Sequence, residues 1–219
     1  MQNETPETIE PSKKQPSLRR FIFVFFLGAL CFLVTQVFTR VPLLNWLQGE
    51  PGFLVWAMSY PVFSGVMIAF TAGIFEESGR FAFKALAIKP AKSRISEPVI
   101  FGLGHGICEA VWIFSAFWGS ISLLQPSQLI LPVVERLLAI TIHVGFSVMI
   151  WNGFQLDKRV RYLILAIAGH GLVDALIPLA GKFGWGVFVL EGMIAGIAAL
   201  LLIYVFYSKK YYRKEESYE

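Results

Sequence analysis

RYLILAIAGHGLVDALIPLA, residues 161–180, is the stretch of this chain that decides its fold class. A helix of about 20 mostly apolar residues crosses ~30 Å of hydrocarbon, so this run predicts a membrane span. It also contains His170 and Asp174, and such groups cost a few kcal/mol in hydrocarbon unless they face an interior site. Because they are four residues apart, both lie on one face of the predicted helix.

Five more apolar runs surround this one, and they predict further spans. They lie at approximately 21–39, 53–75 (with a helical extension to about 88), 99–119, 129–151 and 187–207. Pro61 and Gly65 predict a kink in the 53–75 span. The chain is 56% hydrophobic and only 16% charged, against about 25% charged residues in soluble proteins. The sequence therefore predicts an all-α polytopic membrane helix bundle with about six transmembrane helices, in contact with membrane lipid.

The basic residues predict the orientation of this bundle. Fourteen Lys and Arg residues flank the runs on the side of both termini, and two, Arg40 and Lys182, lie in the loops on the opposite side. By the positive-inside rule both termini are expected in the cytosol, and the expected location is the plasma membrane. Since the basic residues occur in short clusters between spans, the net charge of +4 does not indicate a nucleic-acid partner.

The expected domain organisation is simple. Residues 1–20 are polar, with three prolines, and predict a disordered cytosolic tail. Residues 21–207 form one membrane-embedded helical domain, and residues 208–219 form a cytosolic tail with basic and acidic residues.

Acidic and imidazole groups occur at one depth on four of the predicted spans. Glu76 and Glu77, His105, His143 and His170 each lie about 6–12 residues from the cytosolic boundary, or ~9–18 Å at 1.5 Å per residue. Histidines and carboxylates are the ligands of hydrolytic zinc sites, so this layer predicts a site of that chemistry. The candidate metal ligands are Glu76, His105, His143 and His170, and Zn²⁺ is the candidate cofactor.

Helical spacing adds supporting residues to this layer. Glu109 is four residues from His105, and Arg80 is four from Glu76 and three from Glu77. Arg136 is seven residues from His143 and therefore nearly in line with it. The two arginines are interpreted as counter-ions. Glycines flank His105 and His170, and they favour either close helix packing or an opening for a substrate.

Three ordered motifs on these spans resemble those of the CAAX-protease and bacteriocin-processing superfamily. They are the double glutamate with arginine (Glu76, Glu77 and Arg80), F-x-x-x-H (Phe101 and His105) and H-x-x-x-D (His170 and Asp174). The GLGHGICEA segment at residues 102–110 and the Glu135–Arg136 pair are most similar to the YhfC-type branch of predicted intramembrane metalloproteases. One departure is that two residues, not three, separate the double glutamate from arginine, which rotates Arg80 by about 100°.

The resemblance implies an intramembrane peptidase that cleaves a membrane-associated peptide or protein near the cytosolic face. It implies that Glu76 with His105 activates water, with or without a metal, and that Glu77 pairs with Arg80 or supports the site. His170 and Asp174 would act as metal ligand and orienting partner or as oxyanion stabilisers. The residues leave two alternatives open: a proton- or ion-coupled transporter, since intramembrane ionisable groups also form transport pathways, and a non-catalytic scaffold of the same fold.

Overall fold

The computed structural model describes residues 18–89, 93–116, 118–119 and 125–212 of the 219-residue chain. Within these ranges the chain is helical and contains no strand. The helices are α1 (Leu18–Phe32), a π-helical segment (Leu33–Arg40), α2 (Val41–Gly49), α3 (Pro51–Ser59), α4 (Pro61–Leu86), α5 (Ser96–Ser115), α6 (Pro126–Gln155), α7 (Arg159–Phe183) and α8 (Val187–Ser208), followed by a short 3₁₀ turn (Lys209–Tyr211). The prediction of an all-α polytopic bundle is confirmed. The predicted tails lie largely outside the described residues, and the domain boundaries stay predictions.

The first span is longer than predicted and contains a buried arginine. α1, the π-helical segment and α2 form one continuous helical stretch, Leu18–Gly49. Arg40, which the topology analysis assigned to an outer loop, is buried within this stretch. Its Nε donates to Thr71 Oγ1 at 2.8 Å and its Nη2 donates to the Ile68 carbonyl at 3.0 Å. Arg40 therefore joins the first span to α4. Because it is buried within the helical stretch, it is not a loop residue that can be counted in the positive-inside comparison.

The second predicted span is broken rather than kinked. α3 ends at Ser59 and α4 begins at Pro61, and the two helix axes make an angle of 116°. Proline fits the first turn of a helix because that turn needs no N–H partner, so Pro61 starts a new helix here. In the part of the chain that the structure describes, five helices are long and apolar enough to cross a membrane, and the bent α3–α4 pair is a sixth candidate. α4 alone has 26 residues, about 39 Å.

Five spans form a closed ring around the interior. α4 packs against α7, α7 against α6, α6 against α5 and α5 against α1, and the first span returns to α4. α8 packs outside the ring, mainly against α6. Glycines allow these helices to approach one another closely. A Cβ atom on Gly104 would lie only 2.0 Å from the carbonyl oxygen of Phe25, and a Cβ atom on Gly73 would lie 2.6 Å from the carbonyl oxygen of Ile167.

Polar contacts show which helix ends lie together. Arg20 Nε on α1 donates to Glu97 Oε1 on α5 at 2.6 Å, and Gln155 Nε2 at the end of α6 donates to the Ser93 carbonyl at 2.8 Å. The end that contains these contacts is called the terminal face, because α1 begins and α8 ends there. The other end is called the opposite face.

We expect cysteines on the two faces to be labelled from different sides of the membrane. Two residues on the terminal face could be replaced by cysteine, Ser93 and Lys158. Ser93 is buried, whereas Lys158, between α6 and α7, is exposed and is therefore the better position for labelling. A membrane-impermeant thiol reagent should label Lys158→Cys from the cytosol and Ser127→Cys, at the start of α6, from outside. Labelling of both positions from one side would contradict the six-span topology.

Candidate metal and water-activating site

The predicted polar layer converges on a single carboxylate oxygen inside the ring. Glu76 Oε2 accepts a hydrogen bond from His105 Nε2 at 2.9 Å. His143 Nδ1 and His170 Nε2 each lie 4.0 Å from the same oxygen. Helices α4, α5, α6 and α7 each contribute one of these groups, and all four residues are buried. The predicted convergence of the candidate residues is confirmed.

Glu77 fixes the orientation of His170. His170 Nδ1 donates to Glu77 Oε1 at 2.8 Å, which leaves Nε2 facing Glu76. Phe146 stacks on the imidazole with ring centroids 5.4 Å apart, so the ring is held on its face as well. Asp174, which the sequence analysis offered as the orienting partner, lies 3.9 Å from Nε2, too far for a hydrogen bond. Glu77 has the orienting contact because it is on α4, the helix against which α7 packs.

Arg80 is buried between Glu77 and His143. Its Nη1 donates to both Glu77 oxygens at 2.7 and 2.8 Å, and its Nη2 donates to His143 Nδ1 at 3.2 Å. The arginine and Glu77 side chains have no exposed surface. With the shortened spacing, Arg80 is three residues from Glu77 and pairs with it rather than with Glu76. Arg80 thus contacts Glu77 in the way that its interpretation as a counter-ion requires.

Glu109 orients His143, not His105, although His105 is on its own helix. Since an arginine only donates, His143 Nδ1 accepts from Arg80, and His143 Nε2 carries the hydrogen that is donated to Glu109 Oε2. Arg136 Nη1 in turn donates to the other Glu109 oxygen at 3.1 Å, and Arg136 also bonds Glu135. Arg136 therefore acts on His143 through Glu109. The sequence reveals that Glu109 is polar within a span, but it does not reveal that its partner is on α6.

The types of donor fit a divalent metal, which would replace the hydrogen between His105 Nε2 and Glu76 and the contact of Arg80 with His143 Nδ1. Glu76, His105 and His143 each offer a ligand atom, and these three atoms all lie within 4.8 Å of one another. Carboxylate and imidazole are common zinc ligands, and imidazoles held by outer carboxylates are typical of metal sites. His105 Nδ1 is buried without a hydrogen-bond partner. The outer nitrogen of His105 thus lacks the carboxylate that His143 and His170 have.

The glycines beside the histidines are packed against neighbouring helices. A Cβ on Gly102 would lie 2.6 Å from Val144 Cα, and one on Gly171 would lie 2.6 Å from Phe70 Cδ1. Of the two roles that the sequence left open, these glycines therefore provide close packing. They do not leave an opening to the site.

Comparison with known proteins gives one family. The model of a family described as YhfC intramembrane metalloprotease matches residues 13–125 and 119–203. A curated relative, the "Uncharacterized membrane protein YhfC" of Bacillus subtilis (strain 168), is 27% identical over 232 residues, which cover 87% of this chain and 86% of the relative. No solved structure matches. The matched regions contain every residue of the polar layer.

Proposed function

Because the chain belongs to the YhfC family of intramembrane metalloproteases, we propose that it is a membrane peptidase that hydrolyses a peptide bond of a membrane-associated substrate. The observation that supports this proposal is the Glu76 carboxylate, which faces three imidazoles in a buried layer. Two of those imidazoles are oriented by further carboxylates. We also propose the plasma membrane as its location, with both termini in the cytosol, from the distribution of basic residues.

Peptide hydrolysis requires an activated water, a stabilised carbonyl oxygen and a proton for the leaving amine. In the proposed mechanism Glu76, hydrogen-bonded to His105, accepts the proton of the attacking water and later returns it to the amine. His170, held by Glu77, directs Nε2 to the same space. Its protonated form donates to the oxygen that becomes negative during attack. Asp174, 3.9 Å from Nε2, favours that protonated form electrostatically.

A metal ion has a defined place in this proposal. Glu76, His105 and His143 would hold it, and His170 Nε2 faces the same carboxylate. A bound Zn²⁺ supplies Lewis acidity and lowers the pKa of its water to about 7. The role of Glu76 as the base that accepts a proton from water belongs to the form without a metal, in which the Glu76–His105 pair is a carboxylate–imidazole base.

Metal analysis tests this part of the proposal without a substrate. Protein loaded with zinc and freed of excess ion should hold about one ion per chain and should unfold at a higher temperature than the chelator-treated protein. His105→Ala should lose both the ion and the thermal shift. Glu50→Gln, an exposed residue between α2 and α3, is the control and should behave like wild type. If wild type and His105→Ala held zinc equally, the proposed metal site would be wrong.

A further inference from the structure

The burial of α5 and α6 changes at the level of the site. Towards the terminal face, the core-facing positions of both helices are buried, and residues 142–148 of α6 are buried without interruption. Towards the opposite face, within the residues that the structure describes, no position of α5 beyond Gly106 and none of α6 before Ile142 is buried. His105 and His143 therefore lie at the boundary between a packed half and an open half.

Aromatic residues seal the packed half. Phe101 and Trp151 have ring centroids 5.1 Å apart, and those of Phe81 and Phe154 are 5.2 Å apart. The Lys84 ammonium lies 5.2 Å from the Trp151 ring centroid, and Lys84 is itself buried. This layer lies between the site and the terminal face, and it contains residues of α4, α5 and α6.

The open half lies between two helix pairs. The α4–α7 pair stays packed far beyond the site, since a Cβ on Gly65 would lie 2.8 Å from Pro178 Cβ. α5 and α6 stay joined by the contact between Glu109 and Arg136. The cleft between these two pairs is called the opposite-face cleft.

Charged side chains in this cleft are partly exposed, which indicates water. Glu109 bonds His143 and Asp174 lies near His170, so both face the interior rather than lipid. Their side chains are nevertheless 19% and 35% exposed. A carboxylate exposed inside a membrane span is costly unless it borders a water-filled space. The space beside these two carboxylates is therefore aqueous.

We propose that the peptide substrate reaches Glu76 and His105 from the opposite face, through this cleft, and not from the terminal face, which is the cytosolic face that the family resemblance implied. The proposal rests on the proposed peptidase function and names its substrate class. In a helical substrate, each interior carbonyl accepts a hydrogen bond from the N–H four residues later and is enclosed by the helix. The bond that is cleaved therefore lies at the end of a substrate helix or in an adjacent extended segment. The substrate is thus a membrane protein or peptide with such a segment on the face opposite the termini of this chain.

Two cysteine variants on one helix test the direction of access. Asp174→Cys and Ala166→Cys lie four residues from His170, towards the opposite and terminal faces respectively. Each is made in full-length protein with Cys31→Ala and Cys108→Ser, and it is exposed to a small, permanently charged thiosulfonate reagent from one side at a time. Ser127→Cys and Lys158→Cys calibrate the two sides. We expect Asp174→Cys to be labelled only from the opposite face, and Ala166→Cys, which replaces a fully buried residue, to be labelled from neither.

Other outcomes overturn the proposal. These are labelling of Asp174→Cys from the terminal face or from neither side, and labelling of Ala166→Cys from the terminal face. If Asp174→Cys fails to fold, Glu109→Cys on α5, whose native side chain also borders the cleft and is 19% exposed, carries the same expectation. Labelling requires no cleavage, so it tests the cleft separately from the peptidase function. If the expected labelling pattern were found in a protein that cleaves no peptide, the peptidase function and the peptide route would be rejected. The conclusion that the cleft is filled with water would stand.

Discussion

Glu76→Gln is expected to abolish peptide cleavage while the protein stays folded. Glutamine has nearly the shape of glutamate and still accepts the hydrogen bond from His105 Nε2, but it cannot take a proton from water. Removal of a general base lowers rates by about 10²–10⁴-fold. The measurement uses purified protein in liposomes with a mixture of membrane-spanning peptides that have polar flanks on both sides, and mass spectrometry identifies the fragments. Thermal unfolding in detergent checks the fold.

The neighbouring glutamate provides the matched comparison. Glu77 faces Arg80 and His170 rather than the space beside His105, so Glu77→Gln should lower cleavage less than Glu76→Gln. Glu50→Gln should cleave at the wild-type rate. If Glu76→Gln, Glu77→Gln and His105→Ala all cleaved as fast as wild type, the peptidase proposal would be wrong. The scaffold and transporter interpretations would then replace it.

Arg80→Met is expected to cause the largest loss of stability among the site variants. It removes the guanidinium that donates to both oxygens of the Glu77 carboxylate, which has no exposed surface. An uncompensated buried charge costs about 3–5 kcal/mol. The double variant Glu77→Gln, Arg80→Met should regain most of this stability, because the unpaired charge at position 77 is gone and the Gln oxygen still accepts from His170. Reversible denaturation in mixed micelles measures all three proteins.

Arg136→Met is the control for this prediction. Arg136 also bonds two carboxylates, but they are partly exposed, so water solvates them once the arginine is removed. Its loss of stability should be clearly smaller than that of Arg80→Met. Equal losses for the two arginine variants, or a double variant as unstable as Arg80→Met alone, would show that the buried Glu77–Arg80 charge pair does not determine stability.

The sequence predicts the helices of this fold better than their breaks. Hydrophobic length identifies the spans because hydrocarbon thickness sets it, and residues 161–180 lie inside α7 as expected. The 116° turn at Tyr60 was predicted only as a kink, because proline starts a helix or bends one depending on its tertiary contacts. Arg40 was misassigned for a similar reason: its partners, Thr71 and Ile68, are about 30 residues away in sequence.

For the site, the sequence predicts the members but not their partners. Because Glu76, His105, His143 and His170 are polar and lie at the same predicted depth in their spans, the sequence predicts that they occupy one layer. Which carboxylate orients which imidazole depends on helix rotation and packing, which single-helix spacing does not contain. Spacing within one helix therefore paired Glu109 with His105, whereas the structure pairs Glu109 with His143 across α5 and α6.

The pairing of Glu77 with Arg80 within one helix has a consequence for biosynthesis. An ionised residue at the centre of a span costs about 2.5–3.5 kcal/mol during translocon insertion, and α4 carries four such groups. An ion pair three residues apart forms within the nascent helix before any later span is made, and it lowers this cost. The first span is already present and offers Arg40 to Thr71 on α4. The imidazole of α7 joins last, so a ribosome-bound chain lacks His170, and with it the full set of converging side chains, until α7 has been synthesised.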